Sequence, residues 1–329
     1  MDELEQVTAR IAEEGAFLHD LRREMEGVIV GQEELVGALL VALLADGHLL
    51  LEGLPGLAKS LAVETLARAL GGSFRRLQFT PDLLPSDLLG THVYHPESGE
   101  WTVREGPVFA NFLLADEINR APAKVQSALL EAMQERQVSL AGDTRTLPDP
   151  FLVLATQNPV ELEGTYALPE AQVDRFMLKV LVPHPTREEE ARIIERMAHT
   201  GGAPKPQVVA SPERILAARA LLDRVHLSEA ARGYIVDLVF ATREPAAAGL
   251  ASLEPLLLYG ASPRASLALA QASRAQAFLH GRAFVTPADL KAVAPAVLRH
   301  RLVTTYEAEA EGVGVEELVA AVLDAVPVP

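Results

Sequence analysis

The chain of 329 residues contains no cysteine, a single tryptophan and only five lysines. The lack of cysteine excludes disulfide bonds, thiolate zinc sites and a cysteine nucleophile. Acidic residues outnumber basic ones, 45 to 29, which gives a net charge of −16. Because such a surface repels polyanions, we expect neither nucleic acid nor an anionic membrane to be the main binding partner.

Long apolar runs are also missing. The longest apolar stretches, 36–45 and 318–328, are too short or too interrupted by charge to cross a bilayer, and the acidic N-terminus is not typical of a signal peptide. We therefore expect a cytoplasmic protein without membrane insertion. A hydrophobic content of 49% is enough for sizeable cores, and the length predicts two or three domains.

The most informative stretch is 48–60, where an apolar run ends in a glycine-rich turn followed by a lysine and a hydroxyl. Leu49–Leu51 is typical of a strand buried on both faces of a parallel sheet, and a helical spacing of apolar residues begins after Lys59. In such a strand–loop–helix unit, backbone N–H groups and the helix N-terminus bind phosphate. Lys59 would then contact the β- and γ-phosphates of a nucleotide, and Ser60 would bind Mg²⁺.

The phosphate-loop pattern is degenerate. Gly53, Lys59 and Ser60 match the strict form G-x-x-x-x-G-K-[ST], while Ala58 replaces its second glycine. The alternative is a Gly-Pro loop that ends an ordinary βα unit. With five lysines against 24 arginines in the whole chain, a lysine at this position favours the phosphate loop.

The order of the predicted elements indicates two kinds of domain. Strands alternate with helices from 48 to 182, which predicts a doubly wound parallel sheet. Every later segment has a helical pattern, with no clear core strand. Within the first part we predict an N-terminal helix at 2–26, an inserted hairpin at 81–106 and a second hairpin at 138–147. The predicted division is an α/β domain over 1–184, a linker region over 185–206 and a helical domain over 207–329.

Two adjacent acids, Asp116 and Glu117, end an apolar strand. Their mutual repulsion needs a cation or a reaction to offset it. In a nucleotide-hydrolysing site, Asp116 holds Mg²⁺ directly or through water, and Glu117 orients and deprotonates the attacking water. The alternative is a solvated strand end that leads into a loop.

Two further polar residues are candidates for the same chemistry, Asn158 and, at the end of a short predicted helix, Arg175. Asn158 comes directly after another buried strand, where its amide can contact the γ-phosphate or the attacking water, although an Asn-Pro turn explains it equally simply. Arg175 is either a structural partner of Asp174 or a positive charge that stabilises the transferring phosphoryl group.

Five motifs together resemble the MoxR family of AAA+ ATPases, and they occur in the family's order. They are Gly-Leu-Pro-Gly-Leu-Ala-Lys-Ser at 53–60, Leu-Leu-Ala-Asp-Glu-Ile-Asn-Arg at 113–120, Ala-Thr-Gln-Asn-Pro at 155–159, Leu-Pro-Glu-Ala-Gln-Val-Asp-Arg-Phe at 168–176 and Gly-Ala-Ser-Pro-Arg-Ala at 260–265. An alanine at position 58 is itself a common form of the loop in this family.

The resemblance implies an αβα P-loop nucleotide-binding domain followed by an all-helical lid, with ATP and Mg²⁺ as ligands. It implies that the Walker B strand ends at Asp116-Glu117, that Asn158 is sensor 1, that Arg175 is an arginine finger and that Arg264 is sensor 2. The segment 81–106 resembles the family's helix-2 insert, and 138–147 its pre-sensor-1 hairpin. The nucleotide-binding residues implied in this way are Gly31, Gln32, Gly53, Leu54, Pro55, Gly56, Leu57, Ala58, Lys59, Ser60, Leu61 and Arg264.

The resemblance also implies a function. Similar proteins form homo-oligomeric rings, commonly hexamers, that hydrolyse ATP to remodel, mature or activate a protein client in a chaperone-like way, including metal or cofactor insertion. Their usual partner carries a von Willebrand factor A domain, which would here be a separate polypeptide.

Several alternatives stay open at this point. A nucleic-acid motor is disfavoured by the acidic charge, and a nucleotide-gated scaffold without turnover is disfavoured by Glu117 and by the two candidate arginines, Arg175 and Arg264. Arg264 acts either in cis or in trans. Arg120 either belongs to the site or faces a neighbouring subunit, and Glu170 either has a role there or only caps its helix.

Overall fold

The chain divides into an α/β unit and a helical unit. The computed structural model describes residues 3–54, 56–140, 142–158, 165–166, 168–199 and 204–329. We call Phe17–Arg175 with Val180–Leu216 the core unit, and Met1–Ala16 with Phe176–Lys179 and Ala217–Pro329 the helical unit. Because these units follow contacts in space and not one cut along the chain, the predicted limits at 184 and 206 stay a prediction.

The elements alternate as the sequence predicts through the first half of the chain. The strands are β1 (Leu49–Glu52), β2 (Phe74–Gln78), β3 (Gly90–His95), β4 (Glu100–Glu105), β5 (Phe112–Asp116), β6 (Gln137–Leu140), β7 (Asp143–Thr146), β8 (Leu152–Gln157), β9 (Leu178–Leu181), β10 (Leu257–Tyr259) and β11 (Val303–Thr304). The helices are α1 (Glu3–Val28), α2 (Glu33–Leu44), α3 (Lys59–Ala69), α4 (Pro85–Leu89), α5 (Ala123–Glu135), α6 (Glu170–Val173), α7 (Arg187–Met197), α8 (Pro212–Leu222), α9 (Glu229–Arg243), α10 (Pro263–Leu279), α11 (Pro287–Leu298), α12 (Tyr306–Glu311) and α13 (Val315–Ala325).

The core unit is built on a five-stranded sheet with the order β2-β5-β8-β1-β9. The pairs β2–β5, β5–β8 and β1–β8 are parallel. Leu49–Leu51, Phe112–Ala115 and Leu152–Ala155 have no exposed surface, as expected for strands covered on both faces by helices. The predicted doubly wound parallel sheet is therefore confirmed.

The register of this sheet places the carboxyl ends of its strands at one edge. Gln78 of β2 lies opposite Asp116 of β5, and Glu52 of β1 lies opposite Gln157 of β8. Polar residues that follow different strands therefore meet at this edge, although they are far apart in the sequence.

Two antiparallel hairpins extend from the core unit. Residues 81–106 contain α4 and the pair β3–β4, in which Gly90 lies opposite Glu105 and His95 opposite Glu100. The pair β6–β7 aligns Gln137 with Thr146. Ala141, within the predicted hairpin 138–147, lies outside the described residues.

The helical unit contains α9–α13 and one feature that the helical pattern did not predict, the short antiparallel pair β10–β11. Helix α11 is capped by Thr286, and Asp289 in its first turn completes the capping box. The side chain of Asp289 is only 3% exposed and accepts hydrogen bonds from Arg282 at 2.6 and 2.7 Å. These bonds lower the pKa of Asp289 although burial alone would raise it. Within the described part of the chain, no helix is both long enough and apolar enough to cross a membrane.

Candidate active site

The phosphate loop connects β1 to α3 at the carboxyl edge of the sheet. A Cβ atom on Gly53 would lie 2.7 Å from the carbonyl oxygen of Val182, and Gly56 has a φ of +85°. Both positions thus require glycine, the first for a close approach and the second for its backbone conformation. Pro55 lies outside the described residues.

Lys59 begins α3 and points back across the loop. Its Nζ atom donates a hydrogen bond of 2.6 Å to the carbonyl oxygen of Gly53. Burial lowers the pKa of the Lys59 amine below its usual 10.5, and the negative charges of Asp116 and Glu117 oppose this shift. The site therefore combines a partly desolvated cation with two carboxylates, a balance of charge suited to a polyanion bound together with a metal ion.

A cleft of about 350 Å³ gathers the residues predicted for phosphate chemistry. Its lining includes residues 56–61 of the loop together with Asp116, Glu117 and Asn158. Asn158 follows β8 and is 8% exposed. The structure thus brings the loop, both acids and the amide to one place, as their positions after parallel strands predict.

The cleft also contains three side chains that the sequence interpretation missed, Arg76, Gln78 and Thr156. The Nη2 atom of Arg76 donates to Oδ2 of Asp116 at 2.6 Å, and Nε2 of Gln78 donates to Oε2 of Glu117 at 2.8 Å. Arg76 and Gln78 share one face of β2, two residues apart. Their spacing in the sequence shows that both side chains lie on one face of a strand. It does not show that this face meets the two acids, which depends on the position of β2 beside β5.

Thr156 joins the two acids. Its hydroxyl donates to Oδ1 of Asp116 at 2.6 Å and accepts a hydrogen bond from the backbone N–H of Glu117 at 2.8 Å. The residue is 1% exposed, so these bonds form away from bulk water, where they are strongest. Thr156 therefore sets the relative orientation of Asp116 and of the backbone that carries Glu117.

Glu117 occupies a left-handed conformation, with φ +56°. A residue with a side chain adopts this conformation at a cost, and such outliers concentrate at functional sites. Its carboxylate also accepts a hydrogen bond of 3.0 Å from Nη1 of Arg120, a residue of the same chain. Arg120 thus lies at the candidate site of its own subunit, while any contact with a neighbouring subunit stays a prediction.

A second, largely apolar cavity of about 250 Å³ adjoins the loop. Its lining combines Val28–Val30 and Gln32 on one side with Ile193 and Met197 of α7 on the other. Gly31, at φ +69°, forms the intervening turn, and a Cβ atom there would lie 2.5 Å from Oε1 of Glu189. Size, apolar walls and position next to the loop suit a nucleotide base. Leu54 lines neither cavity.

The remaining predicted residues lie elsewhere. Arg175 is exposed and lies two residues after the end of α6. Within the described residues, its guanidinium makes no hydrogen bond or ion pair with Asp174. Arg264 belongs to the helical unit, in the first turn of α10, where its backbone N–H donates to Oγ of Ser262. Glu170 is the first residue of α6, where a negative charge is favourable. The functional roles of these three residues stay predictions.

Comparisons with known proteins agree with this geometry. A family profile described as "ATPase family associated with various cellular activities (AAA)" matches residues 48–178, and one described as "AAA lid domain" matches residues 252–322. The chain is 51% identical to Chaperone MoxR1 of Mycobacterium tuberculosis over 317 residues, which cover 95% of this chain and 84% of that protein. The chain belongs to the MoxR family of AAA+ ATPases.

Other relatives extend over the whole chain. Protein MoxR of Paracoccus denitrificans is 36% identical over 98% of this chain and 99% of its own length. A crystal structure from Cytophaga hutchinsonii, described as a candidate ATPase, is 46% identical and superimposes with a TM-score of 0.93, covering 99% of both chains. The family recognised from the five motifs is therefore confirmed, and nucleotide binding is a property of this AAA+ family.

The donor set of this MoxR-family site fits Mg²⁺. The Ser60 hydroxyl and the Asp116 carboxylate face the same cleft, and Mg²⁺ binds through oxygen atoms of one or two carboxylates, water and substrate phosphates. Oδ1 of Asp116 accepts one bond, from Thr156, and keeps a further lone pair, whereas Oδ2 accepts two bonds from Arg76, at 2.6 and 3.2 Å. Among the described residues, no three His, Asp or Glu side chains form a metal-binding group.

The hydroxyl of Thr156 provides a first test of the site. Thr156→Val keeps the side-chain volume and removes both hydrogen bonds, which should leave Asp116 and the N–H of Glu117 without this partner at a cost of about 1–3 kcal/mol. We expect the rate of ATP hydrolysis at saturation to fall about ten- to a hundredfold. Thr156→Ser, which keeps the hydroxyl, is the matched control. Equal rates for the two variants would contradict this role.

Ala58 provides a stability test. It precedes α3 with φ 56° and ψ 13°, a left-handed conformation that costs a residue with a Cβ atom about 1–2 kcal/mol. Glycine avoids this cost but loses roughly 0.5–1 kcal/mol through its greater freedom in the unfolded chain. Ala58→Gly should therefore raise the free energy of unfolding in urea by up to about 1 kcal/mol.

The control for this variant is Ala62→Gly, at a buried position inside α3. There the backbone is helical, so glycine should lower the stability by about 1 kcal/mol. A loss of stability in both variants would show that the conformation at Ala58 carries no strain.

Proposed function

We propose that the chain binds ATP with Mg²⁺ and hydrolyses it, in a ring of identical subunits that acts on a protein client. The observation that carries the proposal is the cleft in which Lys59, Asp116, Glu117 and Asn158 lie together. Lys59 would contact the β- and γ-phosphates, and Ser60 with Asp116 would hold Mg²⁺, whose positive charge would stabilise the phosphates during transfer. The apolar cavity beside the loop holds the adenine base.

Glu117 is the candidate general base of this reaction. It is held between Gln78 and Arg120, which fixes the carboxylate while Asp116 takes the metal. Glu117 orients and deprotonates the attacking water, and the amide of Asn158 contacts the γ-phosphate or that water.

Arg175 is the candidate arginine finger. Its exposed guanidinium, free of ion pairs with the described residues of its own chain, supports a role at the site of an adjacent subunit. Arginines that act in trans in this way contribute roughly 10³–10⁵ to turnover. Arg264 would act as sensor 2. A ring is needed for a finger of this kind to reach its target, and a hexamer is the form that similar proteins suggest.

The client side of the proposal rests on the relatives. One of them is described as a chaperone, which supports remodelling or maturation of another protein, with metal or cofactor insertion as one form of it. The proposed partner is a separate protein that carries a von Willebrand factor A domain. The net charge of −16 supports a protein client over a nucleic acid.

Glu117→Gln tests the assignment of the base. The amide keeps the shape and the hydrogen-bonding reach of the carboxylate but cannot accept the proton of water. We expect turnover to fall about 10²–10⁴-fold, with ATP affinity unchanged and with rings that persist in ATP during sedimentation. Turnover within a few-fold of the unaltered protein would remove Glu117 from this role. The ATP-trapped ring would also be the form from which to isolate the client.

The assignment of groups to subunits is tested by mixing two inactive variants. A Lys59→Ala subunit keeps its finger, and an Arg175→Ala subunit keeps its phosphate loop and acids. A mixed ring therefore contains boundaries at which a complete site forms, and partial ATPase activity should return when the dissociated variants are combined.

The control mixture combines Lys59→Ala with Glu117→Gln. Both changes damage the site in cis, so no boundary is complete and no activity should return. If the first mixture also stays inactive while native mass spectrometry shows mixed rings, Arg175 acts in cis or has a structural role.

A further inference from the structure

Three consecutive side chains after α11 hold the main chain that follows Arg175. Nε2 of His300 and Nη2 of Arg301 both donate to the carbonyl oxygen of Phe176, at 3.0 and 2.8 Å. Nη1 of Arg301 donates to the carbonyl oxygen of Met177 at 3.1 Å, and Nη1 of Arg299 donates to that of Lys179 at 2.9 Å. We call Arg299, His300 and Arg301 the carbonyl clamp.

The clamp is costly to bury. Arg299 and Arg301 are each 7% exposed, although arginine is rarely buried and its charge must be compensated. Arg299 is oriented by two hydrogen bonds to Glu316, at 2.8 and 3.1 Å. Packing alone would be served as well by apolar side chains. The donors of two guanidinium groups give what apolar residues cannot, a defined position for the carbonyl groups of Phe176, Met177 and Lys179.

His300 acts as a permanent donor in this cluster. A carbonyl oxygen can only accept, so Nε2 carries the proton, and Nδ1 is buried without a partner among the described residues. Burial, followed by the positive charge of Arg301, holds the pKa of His300 well below its usual 6.5. The ring is therefore neutral near pH 7, and its hydrogen bond to Phe176 is constant there.

The clamp ends one peptide bond away from the candidate finger. Phe176 follows Arg175 directly, and consecutive Cα atoms are only about 3.8 Å apart. On the other side, the backbone N–H of Arg175 donates to the carbonyl oxygen of Gln172 at 3.2 Å. The main chain of Arg175 is thus held from both directions while its side chain is exposed.

We propose that Arg299, His300 and Arg301 are positioning residues for Arg175, so that the helical unit sets the efficiency of the finger. The inference rests on the proposed role of Arg175 in trans. It assigns catalytic consequence to residues that touch neither nucleotide nor metal, because a finger displaced by about 1 Å can lose on the order of 10² in rate.

Arg301→Lys is the central variant, because lysine keeps the charge but lacks the fork that reaches two carbonyl groups. We expect kcat for ATP to fall on the order of 10²-fold, with KM for ATP unchanged because the nucleotide contacts remain. In the double variant with Arg175→Ala, Arg301→Lys should cause no further loss. When Arg301→Lys subunits are mixed with Lys59→Ala subunits, ATPase activity should return, as it should for Arg175→Ala subunits.

Arg282→Lys is the matched control. Arg282 belongs to the same unit and forms a comparable fork, to Asp289 at the other end of α11, but it does not bond the carbonyl groups of 176–179. It should lower thermal stability without lowering kcat. If kcat falls equally in Arg282→Lys and Arg301→Lys, the cause is a general loss of stability in the helical unit. That result would overturn the proposal.

His300→Leu is a second variant that tests the same proposal if Arg301→Lys does not fold. It removes one of two donors to Phe176 together with a buried nitrogen that lacks a partner, so the fold should persist while kcat falls about tenfold. If His300→Leu or Arg301→Lys has a normal kcat while Arg175→Ala has a low one, the positioning role of the carbonyl clamp is wrong, but the proposed role of Arg175 is not affected. If Arg175→Ala itself turns over normally, the proposed role of Arg175 fails, and this inference fails with it.

Discussion

The charge balance at the carboxyl edge of the parallel sheet governs the candidate site. Lys59, Asp116 and Glu117 line one cleft there, because the loop that follows β1 and the end of β5 lie on either side of β8. Each of these charges would be costly to hold partly buried without the others. Arg76 and Gln78, from the neighbouring strand β2, complete the balance by donating to the two carboxylates. The sheet thus assembles a compensated cluster that a polyphosphate and a metal ion can enter.

Strain and hydrogen bonding are combined at this edge. Ala58 and Glu117 both have left-handed backbone conformations, which a residue with a side chain adopts only when its surroundings impose them. The phosphate loop imposes the conformation of Ala58. The buried hydroxyl of Thr156 stabilises that of Glu117, because it accepts a hydrogen bond from the N–H of Glu117 while it donates one to Asp116. One small side chain on β8 therefore links Asp116, the candidate metal ligand, to the backbone of the candidate base, Glu117.

The two units contribute in different ways. The core unit contains the phosphate loop, the two acids and the apolar cavity beside the loop. The helical unit includes residues 176–179, held by the carbonyl clamp. Arg175 therefore lies at the point in the chain where one unit ends and the other begins.

The sequence by itself determined the buried strands, the phosphate loop and the residues that follow the strands. Strands covered on both faces consist of continuous apolar runs, so β1, β5 and β8 were visible, and Lys59, Asp116, Glu117 and Asn158 could be placed at their ends. Only the tertiary structure decided which strands are neighbours. Arg76 and Gln78 gained their roles from the position of β2 beside β5, Thr156 from the register of β8, and Arg301 from a contact across more than a hundred residues. Local patterns report whether a residue is buried, whereas hydrogen-bond partners depend on strand order and chain path, which no local pattern encodes.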